Sequence, residues 1–174
     1  ASSGLHTNGF SLARKVLFED FGLRPEDFLP GTRTKVATAL LRPHLNYSAF
    51  LMEALRRLNR APRAGQRSGN AVRGAAHITG GGFCGNVPRI LPDNCDAVIY
   101  TKSWTPLPVF RAICESARVS FEEAYEVFNM GIGLVVAVDA AAVDSLLKIA
   151  KAHGHGAVRV GEVVAGAKAV RLLG

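Results

Sequence analysis

Cysteine is scarce in this chain. Its 174 residues include only Cys84, Cys95 and Cys114, an odd number with no C-x-x-C pair. That argues against both a disulfide framework and a zinc site and fits a reducing cytoplasm. On this reading no metal ligands are expected. Long apolar runs are also missing. The longest, Gly131 to Val138, stops at Asp139, far short of the roughly 20 residues that span a bilayer. No membrane partner is expected, and no secretory signal is visible. There is no initiator methionine, and the abrupt start at Ala1 is that expected of a fragment. No acid occurs between Glu53 and Asp93, whereas Arg56, Arg57, Arg60, Arg63, Arg67 and Arg73 crowd that stretch. An anionic partner or a solvated basic loop accounts for such a run.

What is present is enough for one globular domain over residues 1–174, since 48% of the residues are hydrophobic. The spacing of Phe10, Ala13, Val16, Leu17 and Phe21 predicts a helix from Phe10 to Phe21, capped by Thr7 or Asn8 and stopped by Gly22. Leu23 to Lys35 reads as a turn-rich connection. A second helix follows with Tyr47, Leu51, Ala54, Leu55 and Leu58 as its buried stripe. The stretch from Asn59 to Gly74 shows no apolar period and reads as a basic loop or insertion centred on residues 60–74, with no folded element. Strands are predicted at Ala75–Ile78, Ala97–Tyr100, Leu134–Val138, Val158–Val164 and Ala169–Leu172. Helices are predicted at Pro108–Ala117, from the Ser120/Glu123 capping box to near Asn129, and at Ala140–Ala152 with Asp139 as cap and Gly154 as stop. The order lacks a regular βα rhythm, so the predicted class is α+β, with helices layered on a mixed, mostly antiparallel sheet.

Three glycine-rich segments carry candidate chemistry. In "AHITGGGFCGNVPRILP", Gly80, Gly82 and Gly85 formally satisfy G-x-G-x-x-G, but Asp93 and Asp96 come too early for the ribose-binding acid of a dinucleotide site. No G-x-x-x-x-G-K-[ST] is present, which excludes a P-loop. Side-chain-free amides beside a short helix, for which Asn86 is a candidate cap, still suit an oxyanion; a disordered linker or a plain turn is the alternative. "SSGLHTNGFSLARK" gathers Ser2, Ser3, His6, Thr7 and Asn8 before a helix. "FNMGIG" places Asn129, Gly131 and Gly133 at a helix-to-strand junction. Capping and turn chemistry would explain either one alone.

Taken in order, "SSGLHTNGFSLARKVL", "AHITGGGFCGNVPRILP", Trp104-Thr105-Pro106-Leu107-Pro108-Val109-Phe110 and "FNMGIG" resemble the C-terminal half of phosphoribosylformylglycinamidine cyclo-ligase, the aminoimidazole ribonucleotide synthetase of purine biosynthesis. The motifs span nearly the whole chain. They separate it from selenophosphate synthetase, thiamine-monophosphate kinase and the hydrogenase maturation protein of the same superfamily. The resemblance implies an ATP-dependent ring closure: ATP phosphorylates the formamide oxygen of formylglycinamidine ribonucleotide, the ring nitrogen attacks the activated carbon, and phosphate leaves. It implies an N-terminal domain, absent here, that carries most ATP and Mg2+ contacts and much of a homodimer interface. A fragment without that domain is expected to be inactive.

The resemblance further implies that Thr79, Gly80, Gly81 and Gly82, with backbone around Ser3 and Gly4, hold the substrate's ribose phosphate. A β-branched residue at Gly81 is then expected to abolish binding while sparing the fold. His6 and Asn8 fall in a cleft-facing motif, with His6 the candidate for moving a proton or polarising the amide. Asn129 and Gly131 would line the cleft. His77 reads as a buried strand histidine, and His153 and His155 as flanking a surface turn. The chain departs from the family pattern at Pro43-His44-Leu45-Asn46-Tyr47, where cyclo-ligases read Pro-Thr-Arg-Ile-Tyr. It also departs at Gly85 in place of a glutamate, at Met130 in place of a cysteine, and in the inserted arginine-rich segment. These differences leave open a divergent member acting on another phosphorylated substrate, or a polyanion-binding module. No aromatic interleaves the arginines from Arg56 to Arg73, so nucleic acid is not the expected partner.

Overall fold

The computed structural model describes residues 1–60 and 69–174. Seven strands and seven α-helices are present among them, and the strands fall in separate small sheets rather than the single sheet expected. β1 (Asn59–Arg60) and β2 (Gly69–Asn70) form an antiparallel pair. β3 (Val72–His77) pairs antiparallel with β5 (Leu134–Val138). β4 (Cys95–Tyr100) lies at the centre of a third sheet, antiparallel to β6 (Gly161–Ala165) and parallel to β7 (Val170–Leu173). The arrangement is α+β, mixed and mostly antiparallel. No helix among the described residues is long and apolar enough to cross a membrane.

Burial of large apolar side chains builds the main core. Phe83, Phe110 and Phe128 are fully buried with Leu5, Leu17, Ile78 and Ile113, and each such side chain contributes roughly 1.5–3 kcal/mol relative to exposure. A second cluster joins α3 (Ser48–Leu58) to α7 (Val143–Ala152) through Phe50, Ala54, Leu146, Ile149 and Ala150, with β5 beneath. On α3 the deepest residues are Phe50 and Ala54, whereas the expected Leu51, Leu55 and Leu58 are only partly buried.

Several local expectations change. The first helix starts at Phe10, but Gly9 takes the cap position in the left-handed region, with no side-chain cap from Thr7 or Asn8. A Cβ on Gly9 would sit 2.2 Å from the Phe128 ring, so the chain enters the helix too close to the core for a capping side chain there. α1 (Phe10–Arg14) then widens into a π turn over Lys15–Asp20. The extra residue per turn rotates Phe21, 44% exposed, off the buried face and brings Lys15 within 3.1 Å of Asp20. A short α2 (Val36–Leu40) ends the stretch read as turns. β3 begins at Val72 and β1 and β2 flank residues 61–68, so the ends of the basic segment are strands; Arg63 and Arg67 lie outside the described residues. Asp139 does not cap the last helix but pairs with Arg73 at 2.8 Å, and a 3-10 turn over Ala140–Ala142 leads into α7.

α5 (Pro108–Ala117) and β5 have the expected bounds, and α6 (Phe121–Val127) stops two residues before Asn129. At the start of α6 the Ser120 hydroxyl accepts from the Glu123 amide at 3.1 Å. Ser120→Ala should therefore lower stability by about 1 kcal/mol in urea unfolding; an unchanged midpoint would show the cap to be idle.

Candidate functional site

The three glycine-rich segments of the sequence converge at one end of the β3–β5 pair. The Ser2 amide donates to the Gly131 carbonyl (2.7 Å), and the Ile78 amide to the Gly133 carbonyl (2.9 Å). Asn129 is the clasp between them. It is 0% exposed, its Nδ2 donates to the carbonyls of Gly4 (2.9 Å) and Leu5 (3.1 Å), and its Oδ1 accepts from the Ser2 hydroxyl (2.8 Å) and the Gly131 amide (2.9 Å). With every lone pair and proton committed inside the protein, Asn129 shapes the loops and does not line a cleft. Gly131, at φ 98° and buried, is likewise a turn residue.

In the triple-glycine loop, Asn86 stands at the N-cap position of a 3-10 turn over Val87–Ile90, but its side chain makes no cap hydrogen bond there. It belongs to α4 (Gly82–Asn86), and its Nδ2 reaches back to the carbonyls of Thr79 and Gly80 (3.2 Å each) and Gly82 (2.8 Å), while Thr79 Oγ1 donates to its Oδ1 (3.2 Å). The loop's carbonyls are thus turned inward. The Gly82 amide donates to the Thr79 carbonyl at 2.9 Å, so Gly82 is not a phosphate donor. Its role is steric: at φ 54°, a Cβ would lie 1.7 Å from the Tyr125 carbonyl oxygen. Gly81, at φ 88°, would bring a Cβ to 3.3 Å from Gly85 Cα, so a β-branched residue there strains the turn rather than sparing the fold. The amides of Gly80 and Gly81 donate to no group among the described residues, and Gly80 has open space around its Cα.

In the first motif the Ser3 amide donates to His6 Nε2 (3.1 Å), and the Gly4 carbonyl is taken by Asn129 and the Ser2 hydroxyl (3.1 Å). The Ser3 amide is therefore not free for a phosphate as expected. Asn8 Nδ2 donates to the Val127 carbonyl at 2.9 Å. His6 and Asn8 share a further property: His6 Nδ1 and Asn8 Oδ1 are the only buried side-chain polar atoms among the described residues without a hydrogen-bond partner. An orphaned buried polar atom costs about 1–3 kcal/mol, and both fall in the motif singled out for chemistry. His6 also holds φ 59°, a left-handed conformation rare outside glycine and strained for a non-glycine residue.

Burial is the main cause that lowers the His6 pKa to about 4, with His44, His77 and the N-terminal amine adding to it. Its imidazole is therefore neutral near pH 7. Burial likewise raises the neighbouring Tyr47 hydroxyl to about 12, which keeps it a donor, to the Ala1 carbonyl at 2.7 Å. Contrary to expectation, His77 is exposed: it ends β3 opposite Leu134, and its Nε2 lies 3.0 Å from His44 Nε2. His153 is exposed beside the Gly154 turn, while His155 packs on Tyr47 and Phe50. The cysteines remain free thiols. The histidines gather instead, with one ring nitrogen each of His6, His44 and His77 within 4.8 Å of the others. Sequence reasoning missed this cluster because it weighed cysteine spacing, and its members come from three separate segments.

Residues 1–173 match the family described as AIR synthase related protein, C-terminal domain. The chain belongs to that family. As an AIR synthase C-terminal domain it is similar to phosphoribosylformylglycinamidine cyclo-ligases. It is 36% identical to that of Alkaliphilus metalliredigens (99% of this chain, 46% of the relative) and 40% identical to that of Geobacter metallireducens (99% and 47%). The chloroplastic cyclo-ligase of Arabidopsis thaliana is 39% identical over 95% of this chain and 39% of the relative. The AIR synthase domain thus spans about half the length of the bacterial relatives it matches. Its fold is shared with thiamine-monophosphate kinase from Stenotrophomonas maltophilia (TM-score 0.56, 18% identity, 96% of this chain and 48% of that one). It is shared also with the E. coli hydrogenase maturation protein HypE (TM-score 0.53, 26% identity, 99% and 45%).

Proposed function

We propose that this domain is the substrate-side half of an ATP-dependent cyclo-ligase that converts formylglycinamidine ribonucleotide to aminoimidazole ribonucleotide. The observation that carries the reading is the pair of orphaned buried atoms, His6 Nδ1 and Asn8 Oδ1, in a motif tied by Asn129 to the Gly131 loop and through Ile78 to the triple-glycine turn. The amides of Gly80 and Gly81, unpartnered among the described residues, receive the substrate's 5′ phosphate. Asn8 Oδ1 accepts from a substrate N–H, and neutral His6 moves a proton or polarises the amide. The missing N-terminal domain completes the cleft and the homodimer, and the free thiols suit the cytoplasm. Mg2+ takes oxygen ligands. The only three-residue ligating cluster among the described residues is all imidazole, which does not suit Mg2+, so the reading assigns the ATP and Mg2+ of the reaction to the N-terminal domain.

The polyanion reading loses support, since Arg56 and Arg57 pair with Glu53 and Arg73 pairs with Asp139. Calorimetric titration with aminoimidazole ribonucleotide, at low and high salt and beside single-stranded DNA, tests the proposal. Saturable nucleotide binding is expected, with little response to DNA. Gly80→Val, placed in open space, should keep the fold and weaken binding about tenfold or more, because a hydrogen bond to a charged acceptor is worth roughly 1.5–3 kcal/mol. Unchanged affinity would remove the loop from the site, and salt-sensitive DNA binding in place of nucleotide binding would favour the polyanion module.

A further inference from the structure

We infer that His6, His44 and His77 form a binding site for a divalent transition-metal ion of the zinc type. The inference does not depend on the cyclo-ligase reading. The three ligating nitrogens lie within 4.8 Å of one another. The ring centroids of His6 and His44 stand 3.8 Å apart at a 32° tilt, His77 meets His44 edge-on at 4.9 Å, and His6 and His77 are 6.4 Å apart. Around a tetrahedral zinc ion with Zn–N bonds of about 2.0–2.1 Å, neighbouring nitrogens stand about 3.3 Å apart. His44 Nε2 and His77 Nε2, at 3.0 Å, are already close to that separation. Both side chains are exposed, so small rotations about their side-chain torsions can turn them toward buried His6.

The surroundings of His44 leave a bare lone pair at its ligating nitrogen, and those of His6 and His77 admit one by a shift of tautomer. The Nδ1 of His44 lies 2.8 Å from the Leu45 carbonyl, which can only accept, so Nδ1 carries the proton and Nε2 is free to ligate. His6 offers its partnerless Nδ1. The neighbours of its Nε2 serve either tautomer. The Ser3 amide donates to a bare Nε2 (3.1 Å), and the Ser3 hydroxyl, which itself donates to the Pro43 carbonyl (2.7 Å), accepts from a protonated one (3.2 Å). Such outer hydrogen bonds are the usual means of orienting metal-bound imidazole. In the ion-free chain His77 Nε2 must carry the proton it shares with His44 Nε2; with the ion bound that proton moves to Nδ1 of the same ring. Three imidazoles suit zinc, cobalt, nickel or copper and not Mg2+. The exposure of His44 and His77 leaves the remaining coordination position to water. An ion held here makes His6 a ligand, so the loaded chain excludes a proton-carrying role for that ring.

Zn2+ titration by calorimetry, with Mg2+ as a control, tests the site on this chain as it stands. One Zn2+ per chain is expected, with no Mg2+ binding. His44→Ala and His77→Ala remove exposed side chains and should fold, and each should weaken Zn2+ at least about tenfold, the scale of loss when a metal's surroundings are disturbed. His153→Ala, outside the cluster, should bind as the parent does. Co2+ substituted for Zn2+ should give a visible spectrum without the thiolate charge-transfer band that Cys84, Cys95 or Cys114 would produce. Absence of saturable Zn2+ binding, equal affinity in His44→Ala and the parent, or a thiolate band would each overturn the site.

Discussion

Gly82→Ala is expected to cost at least about 4 kcal/mol, a large share of the 5–15 kcal/mol that holds a typical domain together. Two penalties coincide. The backbone at φ 54° is left-handed, which disfavours a residue with a Cβ by roughly 1–2 kcal/mol, and that Cβ would stand 1.7 Å from the Tyr125 carbonyl oxygen and 3.0 Å from Glu126 Cα. Both obstacles are backbone, so no side-chain rotation relieves them; α4 must move away from α6 and uncover Phe83. Urea unfolding of Gly82→Ala beside Gly80→Ala checks this. The neighbour is expected to change little, because a Cβ at Gly80 meets nothing within 4 Å. Equal midpoints for the two variants would mean that the loop does not hold α4 against α6 as described.

Asn129→Ala has the second largest expected effect, a loss of about 3–5 kcal/mol. Truncation removes four hydrogen bonds and leaves the Gly4 and Leu5 carbonyls and the Gly131 amide without their side-chain partner in a buried place. Each buried group left unsatisfied costs about 1–3 kcal/mol, and the losses within one network do not simply add. A melting-temperature drop should come with faster hydrogen exchange at Gly131, the amide bonded to Asn129 Oδ1. If stability falls while that exchange is unchanged, Asn129 acts through packing rather than as the clasp between the first and third motifs.

The residues that declared themselves in sequence did so through local physics. α5 begins at a proline whose missing N–H is harmless in a first turn, and β5 is a β-branched run, so the bounds of both could be read directly. The π turn at Lys15–Asp20 could not, because Val16, Leu17 and Phe21 also fit a regular helix. α2 is five residues long and rests on tertiary support, such as the Val36 amide on the Asp27 carbonyl at 2.9 Å. Of the candidate site, the sequence marks the H-T-N and triple-glycine motifs as segments, but not the contacts that each of their residues makes. Asn129 and Gly82 carry the marks of ligand-binding residues and spend their polar groups or their space internally. His44 lies in no regular element, and His77 is exposed at the very end of β3 although its register places it opposite Leu134, so nothing along the chain announces that they meet.

The β1–β2 pair also has a consequence for how this domain can be modified. Asn59 Oδ1 accepts from the Val72 amide at 2.8 Å and its Nδ2 donates to the Val72 carbonyl at 3.2 Å, which fastens the base of the segment to the first residue of β3. The register shift between Val72 and Gly74 and the Arg73–Asp139 pair anchor the strand at that same end, and His77 stands at the other. A change of length between the paired strands is therefore absorbed before the register of β3 begins, at an entropic cost that grows only slowly with length. This makes the stretch between β1 and β2 a natural insertion port, where a tag or reporter can be grafted while the distance from the anchor to the histidine stays fixed.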